Sequence, residues 1–210
     1  MPRIAKKKTR VLAKCQREGE LTAEVEHEYK SVKFLADVLP FLPEKYKKNA
    51  TIWMKHLIEK HIDKKTKAII LNYPTNPTGV SYTKKELGEI NKVLLKHSVL
   101  CISDEVYGDL TYDFEHTHFT TLPKAKDNTV YLDGFSKSYA MTGWRIGFAC
   151  GPREIISAMT KIHQYTIMCV PITSQMAACE ALQSGRKSVD DMKREYRRRR
   201  EFIVDGLNKL

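Results

Sequence analysis

The chain has 210 residues, 42% hydrophobic and 29% charged, a balance that permits a buried core and excludes a disordered chain. No run approaches the roughly 18 consecutive apolar residues of a membrane helix. The basic start, Met1 to Arg10, leads into no apolar segment of the kind a secretory signal requires, so a cytoplasmic protein is expected.

The net charge of +11 raises nucleic-acid binding, and its distribution bears on that reading. Residues 1–67 hold 17 Lys and Arg against 9 Asp and Glu, residues 68–185 hold 10 against 11, and residues 186–210 hold 9 against 5. The excess sits at the ends, where runs such as Lys6 to Lys8 and Arg197 to Arg200 are more often solvated faces than phosphate contacts. Five cysteines, Cys15, Cys101, Cys150, Cys169 and Cys179, have no ligand spacing. They read as reduced core thiols, which argues against a disulfide scaffold or a structural metal site.

In chain order, residues 1–51 form a basic leader without a motif. Thr22 to Phe34 and Trp53 to His61 have some helical periodicity, interrupted by Leu39 to Pro43. From Lys67 the signals sharpen. Ala68 to Asn72 is a short apolar run that predicts a buried strand, followed by the turn-forming Pro74 to Gly79. Thr83-Lys-Lys-Glu86 fits a capping box, Leu87, Ile90 and Leu94 share a helical face, and Val99 to Ser103 is again strand-like. A strand–helix–strand unit of this kind pairs its strands in parallel, which puts the loops at Pro74 to Gly79 and Asp104 to Gly108 on one carboxyl edge, where open α/β sheets bind ligands.

Further strands are expected at Thr129 to Leu132 and Arg145 to Cys150. Pro152 then opens a helix with apolar positions Ile155, Ile156, Met159 and Ile162. A helix from about Ser174 to Gln183 follows, and Val189, Met192, Tyr196, Ile203 and Leu207 predict a long basic amphipathic helix at the end. The fold class is α/β, a mostly parallel sheet with helices on both faces.

Four segments fall on loops or strand ends: Asn76-Pro-Thr-Gly79, Ser103-Asp-Glu-Val-Tyr107, Gly134-Phe-Ser-Lys137 and Thr142-Gly-Trp-Arg145. Each has an ordinary reading as well. Lys137 on its own is a solvated loop lysine, Asp104 an Asx-turn or capping acid, Asn76 a turn residue and Tyr107 a rim aromatic. Val99 to Glu105 also suggests the magnesium-binding acidic strand of a P-loop ATPase, but no GxxxxGK[ST] occurs in the chain.

Taken together, and in this order, the four segments resemble the fold type I, pyridoxal-phosphate-dependent aminotransferases of class I and II, the aspartate aminotransferase superfamily. Met141 to Arg145 is similar to the branch holding bacterial aspartate and aromatic aminotransferases. The likeness covers about residues 52–210 and implies a large-domain portion. A glycine-rich phosphate loop, a stacking aromatic and the C-terminal small domain have no counterpart, so a truncated chain of impaired activity is expected.

The resemblance implies pyridoxal 5′-phosphate as cofactor, an electron sink whose orientation and charge state the protein sets. Lys137 matches the Schiff-base lysine and is the implied catalytic residue. Asp104 matches the carboxylate that keeps the pyridine nitrogen protonated, and Tyr107 and Asn76 match the pair that bonds the phenolic oxygen. Arg145 matches the phosphate-pairing arginine, and Ser136 is placed to add a hydroxyl. Where the family often has a serine three residues before the lysine, this chain has Gly134. The Asn76–Pro77 bond is expected in the cis form.

The implied reaction moves an amino group from an amino acid, of aspartate or aromatic type, to a 2-oxo acid, in a homodimer. The alternative is a non-catalytic remnant that keeps a subunit-pairing surface, or weak nucleic-acid association through the basic ends.

Overall fold

A computed structural model describes residues 50–210, with side chains from Lys55 onward. The periodicity of Thr22 to Phe34, the break at Leu39 to Pro43, nearly all of the basic leader and Cys15 lie outside the described residues. The elements are α1 (Ala50–His61), β1 (Ala68–Asn72), α2 (Lys84–His97), β2 (Leu100–Asp104), β3 (Thr129–Gly134), the single turn α3 (Phe135–Ser138), β4 (Gly147–Cys150), α4 (Arg153–Thr166), α5 (Ile172–Ser184) and α6 (Arg186–Asn208). The sheet order follows the chain, β1-β2-β3-β4, with the first three strands parallel and β4 antiparallel to β3. This is the expected α/β architecture with a mostly parallel sheet.

Local chemistry explains α2. The Thr83 hydroxyl accepts from the Glu86 N–H at 3.3 Å while the Glu86 carboxylate accepts from the Thr83 N–H at 2.7 Å, so two amide donors that a helix start leaves orphaned are satisfied reciprocally. The helix ends at Ser98 in a left-handed conformation. Leu87, Ile90, Val93 and Leu94 are buried against Ile58 of α1, Ile69 and Leu71 of β1 and Cys101 of β2. Each such leucine or isoleucine stabilises the fold by about 1.5–3 kcal/mol. Strand alternation puts Ile70 on the opposite face, where it is 61% exposed.

Gly134 and Gly147 face one another across β3 and β4. A Cβ on Gly147 would lie 2.9 Å from the Asp133 carbonyl oxygen, and one on Gly134 would lie 3.3 Å from the Gly147 Cα. The strand pair closes only because neither residue has a side chain. The expected strand from Arg145 starts two residues later, at Gly147, because Arg145 adopts a left-handed backbone (φ 51) that no strand can contain.

The apolar positions expected on α4 do lie on a helix, yet none of its residues is buried against the described residues. Ile162, Tyr165, Met168, Ile172 and Met176 form an exposed apolar surface along α4 and α5. Among the described cysteines, the reading as core thiols holds for Cys101 alone. Cys150, Cys169 and Cys179 are exposed because they lie on β4, between α4 and α5, and on α5, the side that no described residue covers.

On α6, Val189 is buried, and the helix is fastened at two points, Arg186 to Asp109 and Arg200 to Asp113. The basic run is charge-paired: Arg197 with Glu201, and Arg198 and Arg199 with Glu195. No helix of the described residues is long and apolar enough to cross a membrane.

Candidate functional site

Parallel pairing brings the carboxyl ends of β1, β2 and β3 to one edge, and antiparallel β4 begins there. Asn72 and Asp104 are register partners at this edge, as are Gly134 and Gly147. All four sequence segments therefore lie along it. The 73–79 loop contains two cis peptide bonds, Tyr73–Pro74 and the expected Asn76–Pro77, and is closed by hydrogen bonds from Thr75 N–H to Val80 O at 2.8 Å and from Gly79 N–H to Thr75 O at 2.7 Å.

The loop presents the Asn76 amide to the Tyr107 hydroxyl at 3.2 Å. The Lys137 ammonium lies 5.4 Å from the centroid of the Tyr107 ring, within the range of a cation–π attraction. Asn76, Tyr107 and Lys137, which are 31 and 30 residues apart in sequence, are thus brought together. Asp104 is half-buried. Its Oδ2 accepts from the Asn72 amide at 2.9 Å, and its Oδ1 lies 3.4 Å from the Val106 N–H, a weak contact at that length.

Ser136 and Arg145 are joined through Thr142. The Thr142 hydroxyl donates to the Ser136 carbonyl at 3.0 Å, and the Arg145 guanidinium donates to the Thr142 carbonyl at 3.0 Å. Arg145 is exposed, and both it and Ala140 have positive φ, 51° and 54°. Non-glycine residues reach this region only where their surroundings hold them there, and such residues cluster at binding sites.

A cleft of about 510 Å³ opens beside Asn76 and Tyr107, with Pro74, Thr111, Tyr112 and Arg200 among its walls. Asp104, Lys137 and Arg145 do not line it. Asn76 and Tyr107 stand at this cavity, while Lys137 is half-buried beside the Tyr107 ring and Arg145 is exposed.

Sequence reasoning passed over a second cluster directly behind this edge. Glu105 is fully buried, and its carboxylate is met by the Tyr73 hydroxyl at 2.9 Å, the Ser103 hydroxyl at 2.7 Å, the Phe119 N–H at 3.0 Å, His116 Nε2 at 2.7 Å and His118 Nδ1 at 2.8 Å. Burial pushes this carboxyl up, but the bonds from His116, His118, Ser103 and Phe119 outweigh it and hold the group at about 2. The bond to Glu105 raises His118, against partial burial. Burial, together with the Glu105 charge, pushes the Tyr73 phenol far up, so it remains a donor. The signal available in sequence was His116-Thr-His118, two imidazoles on one side of an extended segment.

Residues 36–210 match the family model described as aminotransferase class I and II. The chain is 49% identical over 152 residues to the Bacillus subtilis protein YugH, which is itself named as an aminotransferase, covering 72% of this chain and 39% of that protein. It is 41% identical over 156 residues to an aspartate aminotransferase of Pyrococcus abyssi, covering 73% and 40%. Among solved structures, an aromatic aminotransferase from Pyrococcus horikoshii superposes with a TM-score of 0.70 at 41% identity, over 73% of this chain and 42% of that one. The chain spans about two-fifths of the length of the curated relatives it matches.

Proposed function

Because the chain belongs to the aminotransferases of class I and II, we propose that it serves pyridoxal 5′-phosphate-dependent transfer of an amino group from an amino acid to a 2-oxo acid, with donors of the aspartate or aromatic type. The observation that carries this reading is the grouping of Asn76, Tyr107 and Lys137 on the sheet edge where Asp104 ends β2. The donor set suits the cofactor: a carboxylate for a protonated ring nitrogen, an amide and a phenol for an anionic ring oxygen, an amine for an aldehyde, and a guanidinium with a hydroxyl for a phosphate.

When bound, the cofactor supplies a conjugated cation that accepts the electron pair left at the substrate α-carbon on proton loss. The chain's residues set the conditions for that chemistry. Asp104, fixed by the Asn72 amide, places a negative charge where a ring N–H⁺ is to be kept. Asn76 and Tyr107 offer two hydrogen-bond donors to one oxygen, which favours its anionic form. Lys137 holds and moves a proton at Nζ, next to the Tyr107 ring that attracts its charged form. Arg145 and Ser136, linked through Thr142, provide the anion-binding end. Subunit pairing as a homodimer in the cytoplasm is part of the same proposal. It is supported by the uncovered apolar surface on α4 and α5, where Tyr165 is 88% exposed and Met168 78%.

The test is addition of pyridoxal phosphate to the purified chain, with and without Lys137→Ala, followed by amino-transfer assays with aspartate and aromatic donors. A visible absorbance band that depends on Lys137 supports the reading. A band unaffected by Lys137→Ala would sink it.

A further inference from the structure

We infer that Glu105 is a positioning residue: its buried carboxylate locks the loop carrying Asn76 and the turn carrying Tyr107 to the end of β2, and so fixes the spacing of the two donors in the cleft. This inference rests on the cofactor reading proposed above.

Glu105 follows Asp104 directly, and its backbone is itself anchored, with its N–H on the Leu132 carbonyl at 3.0 Å and its carbonyl accepting the Gly108 N–H at 2.7 Å across the turn that contains Tyr107. Its side chain reaches in two further directions. Toward β1 it holds Tyr73, fully buried and three residues before Asn76. Toward the 108–119 segment it holds His116, His118 and the Phe119 N–H.

His116 completes the lock. Its ring stacks on Tyr73 with centroids 5.1 Å apart, and it packs so closely on Gly108 that a Cβ there would lie 2.9 Å from the imidazole. A buried charge is tolerated only when fully hydrogen-bonded, so the same saturation that keeps Glu105 ionised holds both loops in one arrangement. The Asn76–Tyr107 distance of 3.2 Å is the result at the site.

Glu105, His116 and His118 also have the composition of a metal-ligand set, with their donor atoms within 4.8 Å of one another. His116 Nε2 and His118 Nδ1 both lie at hydrogen-bond distance from Glu105 Oε2, 2.7 and 2.8 Å, the arrangement of a hydrogen-bonded lock, and Zn²⁺ binding separates the two uses.

The experiment uses the full chain and compares Glu105→Gln and Tyr73→Phe with the unaltered protein. Tyr73→Phe keeps the ring and removes a single donor, so it tests the idea even where Glu105→Gln fails to fold. Three readouts are taken: the dissociation constant for pyridoxal phosphate, the pH midpoint of the Lys137-dependent absorbance band, and amide exchange of residues 73–80 and 104–110 without cofactor. Expected are a roughly tenfold or greater loss of affinity in Glu105→Gln with a smaller loss in Tyr73→Phe, a displaced pH midpoint, and faster exchange confined to the two loops. Unchanged midpoint and exchange in a folded variant that still shows the Lys137-dependent band would overturn the positioning role and leave the cofactor reading intact. Loss of Lys137 dependence in the unaltered chain would instead sink the cofactor reading. Stoichiometric Zn²⁺ binding by the unaltered chain, abolished by His118→Ala, would also overturn the lock in favour of a metal site.

Discussion

Asp104 and Glu105 are neighbours in sequence, yet their carboxylates serve opposite sides of the sheet. Asp104 is bonded by Asn72 and Glu105 by Tyr73, themselves neighbours at the end of the adjacent parallel strand. One pair of consecutive acids is thus divided by strand alternation between the proposed cofactor side and a buried lock.

Acid stability depends on the second of them. The folded-state value of Glu105, about 2, lies below the ordinary 4.5, so the stabilisation is fully present above about pH 4.5 and is lost as pH falls through about 2. For a fully buried group a shift of this size corresponds to the order of 3 kcal/mol. His118 has the opposite sign: raised by the bond to Glu105, it contributes below its unfolded value and loses that contribution as pH rises through the folded one. Urea unfolding at pH 6 and pH 3 is expected to show a marked loss at the lower pH, and a flatter profile in Glu105→Gln. An equal pH response in both proteins would contradict this account.

Removing the donors to the proposed anionic oxygen moves the titration of the cofactor band upward. Asn76→Ala and Tyr107→Phe each delete one donor that favours the charged form, so the midpoint is expected to rise by up to about one pH unit per substitution. Absorbance titration measures it. A fall in either variant would show that the pair does not bond that oxygen.

Gly147→Ala is expected to destabilise the chain by about 1–3 kcal/mol, because the new Cβ would meet the Asp133 carbonyl oxygen at 2.9 Å and backbone cannot yield as a side-chain tip can. Since β4 begins just after Arg145, the same substitution should weaken binding of phosphate-bearing ligands. Thermal denaturation and inorganic phosphate competition against cofactor binding would check both parts.

Thr83→Ala provides the contrast. It removes the cap of α2, far in function from the sheet edge, and should cost about 1 kcal/mol of stability. The cofactor band and its pH midpoint should not move, and a shift in either would mean that α2 is coupled to the site.

Sequence and structure divide at identifiable residues. The capping box at Thr83 and Glu86, the apolar face of α2 and the run at Ala68 to Asn72 were legible because each is a local preference satisfied within a few residues. Three of the four motif segments share one edge because parallel pairing brings the ends of β1, β2 and β3 together, whereas Thr142 to Arg145 reaches it because β4 runs antiparallel and begins there. Arg145 was misplaced in a strand because a left-handed residue other than glycine or asparagine has no signature in composition. Cys150, Cys169 and Cys179 were misread because burial depends on what covers an element, and β4, α4 and α5 have a side that no described residue meets.

The sequence alone determined which residue types stand at the strand ends, and so the chemistry proposed for this protein: a lysine, a carboxylate, a phenol with an amide, and a guanidinium. Only the tertiary structure decided that Asn76 meets Tyr107, that Lys137 lies over the Tyr107 ring, and that Glu105 gathers five donors from β1's end, β2 and the 108–119 segment. Periodicity reports which face a residue occupies, a property of its own strand or helix. Partnership between side chains 11 to 32 residues apart depends on register and loop closure, which are fixed only when the sheet, the cis-proline loop and the turn after β2 pack against one another.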